Sequence, residues 1–180
     1  MDVSLPWFAV SGGIVLGKLP FHGDFVARGI SAAARDEMDR WLVDAMATAR
    51  DELGLRFEES FDRALPWRFA WYDERWTAGA LVPSVDSAGR RFPLLVARAN
   101  LEGDEVETAA RLCEEAAAQA ISERWQADKL MKAVEALEMV HTASRGREGW
   151  WNEEIGEASK LEDKRPRTIL SHMLSAVAAQ

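Results

Sequence analysis

One cysteine in 180 residues, Cys113, leaves no second thiol for an internal disulfide. That scarcity predicts folding in a reducing compartment. Histidine is nearly as rare, with His22, His141 and His172 the whole set. Two-metal hydrolysis needs several imidazoles and carboxylates brought together, and His141 and His172 are expected on helical segments without partner ligands. Positive charge is also short: 22 Lys and Arg stand against 30 Asp and Glu, for a net charge of −8. That balance argues against nucleic acid or an anionic membrane as the main partner. No uninterrupted apolar run approaches the roughly 18 residues of a membrane span, so no direct membrane insertion is expected. The start, MDVSLPWFAVSGG, is acidic and lacks the basic region and apolar core of a signal peptide. Internal repeats and low-complexity tracts are missing too. These absences predict a cytoplasmic protein and leave its oligomeric state open.

What is present is an ordinary globular balance, 48% hydrophobic and 29% charged. A chain of this length is expected to fold as one domain over 1–180 and to bury roughly 70% of its unfolded surface. Two apolar runs, Trp7–Val10 and Ile14–Leu16, flank Ser-Gly-Gly and read as a hairpin or a strand with a flexible start. From Gly17 to Ile30, Pro20, Gly23 and Gly29 argue against regular structure. Ser31 is an N-cap for a helix running to Leu53, with Gly54 as its stop. Met38, Trp41, Leu42, Ala45, Met46, Ala49 and Leu53 share one face of it. A second helix spans Glu58–Leu65 before Pro66, and Trp67–Trp71 alternates as a half-buried strand does. Apolar spacing predicts a helix over 104–127, continuing through Val140 after a bend near Asp128, then a loop over 142–149. A late strand at Trp150-Trp151, a charged and mobile stretch over 152–167 and a terminal helix over 168–178 complete the chain. Five of the eight tryptophans, Trp7, Trp67, Trp71, Trp150 and Trp151, fall in or beside these strands. They are expected in an aromatic-rich core, with an exposed binding patch as the alternative. Strands beside long amphipathic helices predict helices on both faces of a small sheet.

The stretch Gly79–Ala97, GALVPSVDSAGRRFPLLVA, holds two strand-length runs, Ala80–Val82 and Phe92–Ala97, around a polar kernel. Asp-Ser-Ala-Gly is turn chemistry, and Pro83 and Pro93 belong at strand ends or bulges, so a bent hairpin is expected. Three patterns nearby approach catalysis and fall short. Gly12-x4-Gly17-Lys18 opens like a phosphate-binding loop, but Leu19 has no hydroxyl for magnesium, Pro20 follows, and Ile14–Leu16 reads as strand. Gly23-Asp24-Phe25-Val26-Ala27-Arg28-Gly29 resembles the GDxxxRG segment of metallophosphoesterases without their upstream Asp-x-His or downstream Gly-Asn-His-Glu. Ser84, Asp86 and His22 supply the residue types of a triad, but no nucleophile elbow surrounds Ser84. Cys113 lies on an apolar helical stripe, where a buried thiol is the default. No metal or cofactor is expected.

Three segments in order resemble one family. Gly17-Lys18-Leu19-Pro20-Phe21-His22-Gly23-Asp24-Phe25-Val26 looks like the GKLPxxGDFV opening of the TagF (ImpM) proteins of type VI secretion. Trp67-Arg68-Phe69 is similar to the family's next element, and Gly79–Leu94 resembles its block G-x-x-x-PSVDxxGRxFPL. The resemblance extends over roughly residues 14–175. An N-terminal extension over 1–13 and the long charged segment 152–167 depart from it, and the phosphatase domain fused in some members is not in the sequence. The resemblance implies an α+β domain, a mostly antiparallel sheet with helices on both faces (α/β/α), related to longin and sybindin folds. It also implies a non-enzymatic repressor of type VI secretion assembly that binds a forkhead-associated scaffold protein.

The residues offered as partner-binding or motif positions are Lys18, Asp24 and Arg68 in the first two segments and Ser84, Asp86, Arg90 and Arg91 in the third. Lys18, Asp24, Asp86, Arg90 and Arg91 could make charge-assisted hydrogen bonds to a partner. Alternatively Asp24 or Asp86 pairs inside the domain with Arg68, Arg90 or Arg91, since acids beside glycine often hold turns; that reading is favoured, with Asp86 facing Arg90. A small-ligand receptor or hydrolase using the 17–26 and 84–91 loops is the rival, and a structural subunit of the secretion apparatus is a third reading.

Overall fold

Alternation of side chains across a pleated strand decides how this chain layers. The computed structural model describes residues 12–157, 161 and 163–178. Among the described residues seven strands form one sheet in the order β2-β1-β5-β4-β3-β6-β7. They are β1 (Gly13–Gly17), β2 (Val26–Arg28), β3 (Trp67–Asp73), β4 (Arg75–Val82), β5 (Leu94–Leu101), β6 (Gly149–Asn152) and β7 (Gly156–Glu157). Every pairing among them is antiparallel. The α-helices of the described residues, α1 (Ala32–Leu53), α2 (Phe57–Arg63), α3 (Val106–Ser122), α4 (Ala127–Glu135) and α5 (Ile169–Ala178), cover its two sides. The architecture is α+β in a single domain, as expected.

On one side Ile14 and Leu16 of β1, Leu95 and Ala97 of β5, Leu81 of β4 and Trp67, Phe69 and Trp71 of β3 meet α1, α2 and α5. This layer is aromatic: Phe69 stacks on Trp71 at 4.3 Å between centroids and lies 5.0 Å from Trp150, with Trp41 of α1 6.0 Å from Trp150. Two of these indoles are satisfied by the chain before α5, Trp41 Nε1 donating to Pro166 O and Trp150 Nε1 to Lys164 O. Trp151, one residue on from Trp150, turns to the other side. There α3 packs small on small, Ala109, Ala110, Cys113, Ala117 and Ala120 against Ala78, Ala80 and Val96, and α4 adds Leu130 and Val134. Trp67, Trp71, Trp150 and Trp151 are all buried, and Trp7 lies outside the described residues.

The expected start and stop of α1 are both present. Ser31 Oγ accepts the Ala34 N–H at 3.2 Å, and Gly54 ends the helix at φ 53°. The β4–β5 hairpin around Asp86 forms, with strands longer than the apolar runs alone indicate. Four expectations need correction. The stretch Gly17–Ile30, expected irregular, contributes β2, whose Val26 pairs with Gly17. The bent helix over 104–140 is two helices, because α3 closes on itself before α4 starts. Trp125 N–H donates to Ala120 O at 2.8 Å and Arg124 N–H to Ile121 O at 3.3 Å, a Schellman closure with Arg124 left-handed at φ 53°. After Glu135 the chain leaves the helix, so His141 is on a loop, where Asp104 Oδ2 lies 3.1 Å from its Nδ1. Within the charged segment 152–167, residues 156–157 form β7. The Trp7–Val10 run and residues 158–160 and 162 of that segment lie outside the described residues.

Candidate interaction site

The end of β1 and the β4–β5 connection are forced together by backbone geometry. Gly17 has φ 125°, and a Cβ there would sit 2.1 Å from Pro93 O, so only glycine allows so close an approach. Lys18 then leaves the sheet beside the connection 83–93. A lone bridge, Val85 with Arg91, pinches that connection, and Phe92 N–H donates to Ser84 O at 3.1 Å. Inside the pinch the Gly89 N–H donates to Asp86 O at 3.0 Å, with Gly89 at φ 77°.

This folding buries Asp86 to 2% exposure and surrounds it with donors. Oδ1 accepts the backbone N–H groups of Ala88 (3.0 Å) and Arg90 (2.9 Å). Oδ2 accepts Lys18 Nζ (2.8 Å) and Arg90 Nε (2.6 Å). Burial pushes the carboxyl's pKa up, but the bonds from Lys18, the Arg90 amide and guanidinium and the Ala88 amide together outweigh it. The group is held well below the usual carboxylate range.

The 17–26 loop is clamped from two sides. On one, the Ser87 N–H donates to His22 O at 2.8 Å and an Arg90 terminal nitrogen to Gly23 O at 2.7 Å. On the other, Arg124 donates to Pro20 O at 2.7 Å, and the Ala127 N–H, first residue of α4, donates to His22 Nε2 at 2.9 Å.

The remaining sequence-selected residues disperse. Arg91 forms a bidentate pair with Asp62 of α2, 2.7 Å at each contact, with Glu58 at 3.4 Å. Arg68 reaches through the second layer to Glu114 of α3 at 2.7 Å and to Glu153 after β6. Neither arginine pairs with Asp24 or Asp86. Ser84 is buried, its Oγ 3.5 Å from Val85 O. Asp24 is exposed and has no ion pair or side-chain hydrogen bond among the described residues.

None of the three catalytic look-alikes assembles. Lys18 of the phosphate-loop look-alike pairs with Asp86, and its preceding residues form β1. Arg28 of the GDxxxRG segment sits in β2 and pairs with Asp128 at 2.7 Å. The Nε2 of His22 is occupied by a helix amide, while Asp86 is taken by Lys18 and Arg90. Cys113 is fully buried, and burial pushes its thiol up to about 12, with Arg98 weakly opposing. Among the described residues no three His, Cys, Asp or Glu side chains gather to hold a metal, and no helix is long and apolar enough to cross a membrane.

Arg124, Asp62, Glu114 and the α4 amide were invisible as site members in the sequence, since each meets its partner across many intervening residues. The left-handed Arg124 has no signature beyond the end of an alanine-rich helical stripe.

No curated protein matches the chain. A search of solved structures finds the crystal structure of PA0076 from Pseudomonas aeruginosa PAO1, with a TM-score of 0.60 at 22% identity. The likeness covers 89% of this chain and 77% of that one, and at such identity it speaks for the fold alone. The family model for the TagF N-terminal domain, described as type VI secretion system-associated, matches residues 14–140. That segment holds β1 to β5 and both polar loops, and on its strength the chain belongs to the TagF family of type VI secretion system-associated proteins.

Proposed function

We propose that this protein is a non-enzymatic, cytoplasmic accessory of type VI secretion that represses assembly of the apparatus by binding a forkhead-associated scaffold protein. The observation that carries the reading is the TagF family match across residues 14–140. The chemistry of the loops supports it. Three of the polar groups that suggested catalysis are engaged in holding two loops in register: Asp86 by four donors, His22 by a helix amide, Lys18 by Asp86. A site so saturated has little left for bond-making and much rigidity for recognition.

The reading is tested in two steps. Purified protein mixed with the purified scaffold at micromolar concentration should elute as one complex, and elution as two separate species overturns the partner. In cells with an active apparatus, excess protein should lower effector secretion without lowering the amount of apparatus components. Unchanged secretion overturns repression.

A further inference from the structure

The clamps on the 17–26 loop leave its tip presented. Phe21 is 47% exposed, edge-on to His22 at 5.2 Å, and the chain is fixed by Arg124 at Pro20, one residue before it, and by Arg90 at Gly23, two residues after it. Arg90 is 64% exposed and uses Nε and one terminal nitrogen, so the other terminal nitrogen has no partner among the described residues. The Arg124 guanidinium makes one hydrogen bond, to Pro20 O, and no ion pair among the described residues. It also stands in the left-handed position that closes α3, where glycine is the usual residue and incurs no Cβ penalty. An arginine there places a guanidinium on the carbonyl of Pro20, the residue before Phe21. The acids around it are already engaged: Asp86 by Lys18 and Arg90, Asp128 by Arg28, and Glu123 by Gln119 and Trp125. Asp24, on the Gly23 side, is the exception.

We infer that Phe21, flanked by Arg90 and Arg124, is the docking anchor for an acidic segment of a protein partner, with carboxylates meeting the two guanidinium groups and an apolar side chain covering the ring. The inference rests on the partner reading above and names its contact face. Arginine and aromatic side chains are the types that concentrate interface energy, and arginine–carboxylate contacts are charge-assisted. The four hydrogen bonds on the loop pre-order it, so docking loses little conformational freedom.

The test measures affinity for the purified scaffold by calorimetry, using the full chain and the variants Phe21→Ala, Arg124→Gly and Arg124→Glu. Leu55→Ala, at a fully exposed leucine on the α1–α2 turn, serves as the control. Phe21→Ala and Arg124→Gly should each weaken binding about tenfold or more, Arg124→Glu should weaken it further, and Leu55→Ala should leave it unchanged. Arg124→Gly should melt within a few degrees of the parent, because glycine suits the left-handed position; this separates lost contact from lost fold. Equal affinity for all variants overturns the anchor while leaving the partner in place. No binding by the unaltered chain overturns the partner reading and, with it, this assignment.

Discussion

Asp24 and Asp86 look like a pair in the sequence: each neighbours glycine or a turn, each sits in a loop with basic residues nearby, and each belongs to a family-like block. The fold treats them in opposite ways. Asp86 lies inside a connection pinched by the Val85–Arg91 bridge and is enclosed by four donors. Asp24 follows the loop tip and is exposed without a partner among the described residues. What separates them is the backbone on either side. A carboxylate is buried when two strand ends close over it, and cations then gather because a buried charge without them is too costly. The same residue type on an open loop stays in water. Function follows the same division, with the buried acid setting the loops' shape and the exposed one available to whatever meets them.

The largest break in this comparison comes from Asp86→Ala, which should lower the melting temperature by several degrees in calorimetry. It strands the mostly buried Lys18 ammonium and removes the acceptor of two backbone N–H groups. A melting temperature within a degree of the parent would show that the node does not brace the loops. The effect should depend on pH. Because the folded-state pKa of Asp86 is lowered, its stabilising contribution is present in full above the unfolded value of about 3.9 and is lost as pH falls through the folded value. The gap between parent and Asp86→Ala should therefore be constant near neutrality and narrow in acid below about pH 4. A gap that stays constant into strong acid would mean that packing, not charge, holds the node.

Lys18→Met should cost less than Asp86→Ala, since Asp86 keeps three donors and the methionine stem still packs near Phe92. A loss equal to or greater than that of Asp86→Ala would place the lysine, not the acid, at the centre of the node. Smallest of all, Asp24→Ala should change stability by no more than about 0.5 kcal/mol in denaturant titration, as expected of an exposed, unpaired side chain. A clear loss there would mean that Asp24 has a structural partner in solution and would end the contrast.

Much of the fold was legible because local signals and tertiary demands agree. Ser31 and Gly54 bound α1 chemically, its apolar spacing matches its buried face, and the alternation in Trp67–Trp71 is the alternation between two packed layers. Where the two diverge, the reading fails. The stripe over 104–140 keeps helical spacing across residues 123–126, but spacing says nothing about whether backbone bonds continue, and the chain breaks at Arg124 with no glycine to announce it. β2 escaped notice because a three-residue strand between glycines is held by its neighbour rather than by its own propensity. At the site, the partnership of Asp86 with Arg90 is local and could be read from turn chemistry. Lys18, Arg124, Asp62 and Glu114 meet their partners only after the sheet has brought distant segments together, and no spacing rule encodes that.

The strand order carries a consequence for how the chain comes off the ribosome. β1 emerges first among the described strands, yet its central partner is β5, and the aromatic layer built on Trp41, Phe69 and Trp71 is sealed by Trp150 and α5 from the far end of the chain. Until those later segments are released, indole and phenyl surface belonging to the finished interior faces solvent, and contacts of such long sequence separation form slowly. Synthesis interrupted before residue 149 would leave β3 as an open edge, a template for pairing with other chains. The two polar loops, encoded early, thus stand on a core that is complete only when α5 has docked.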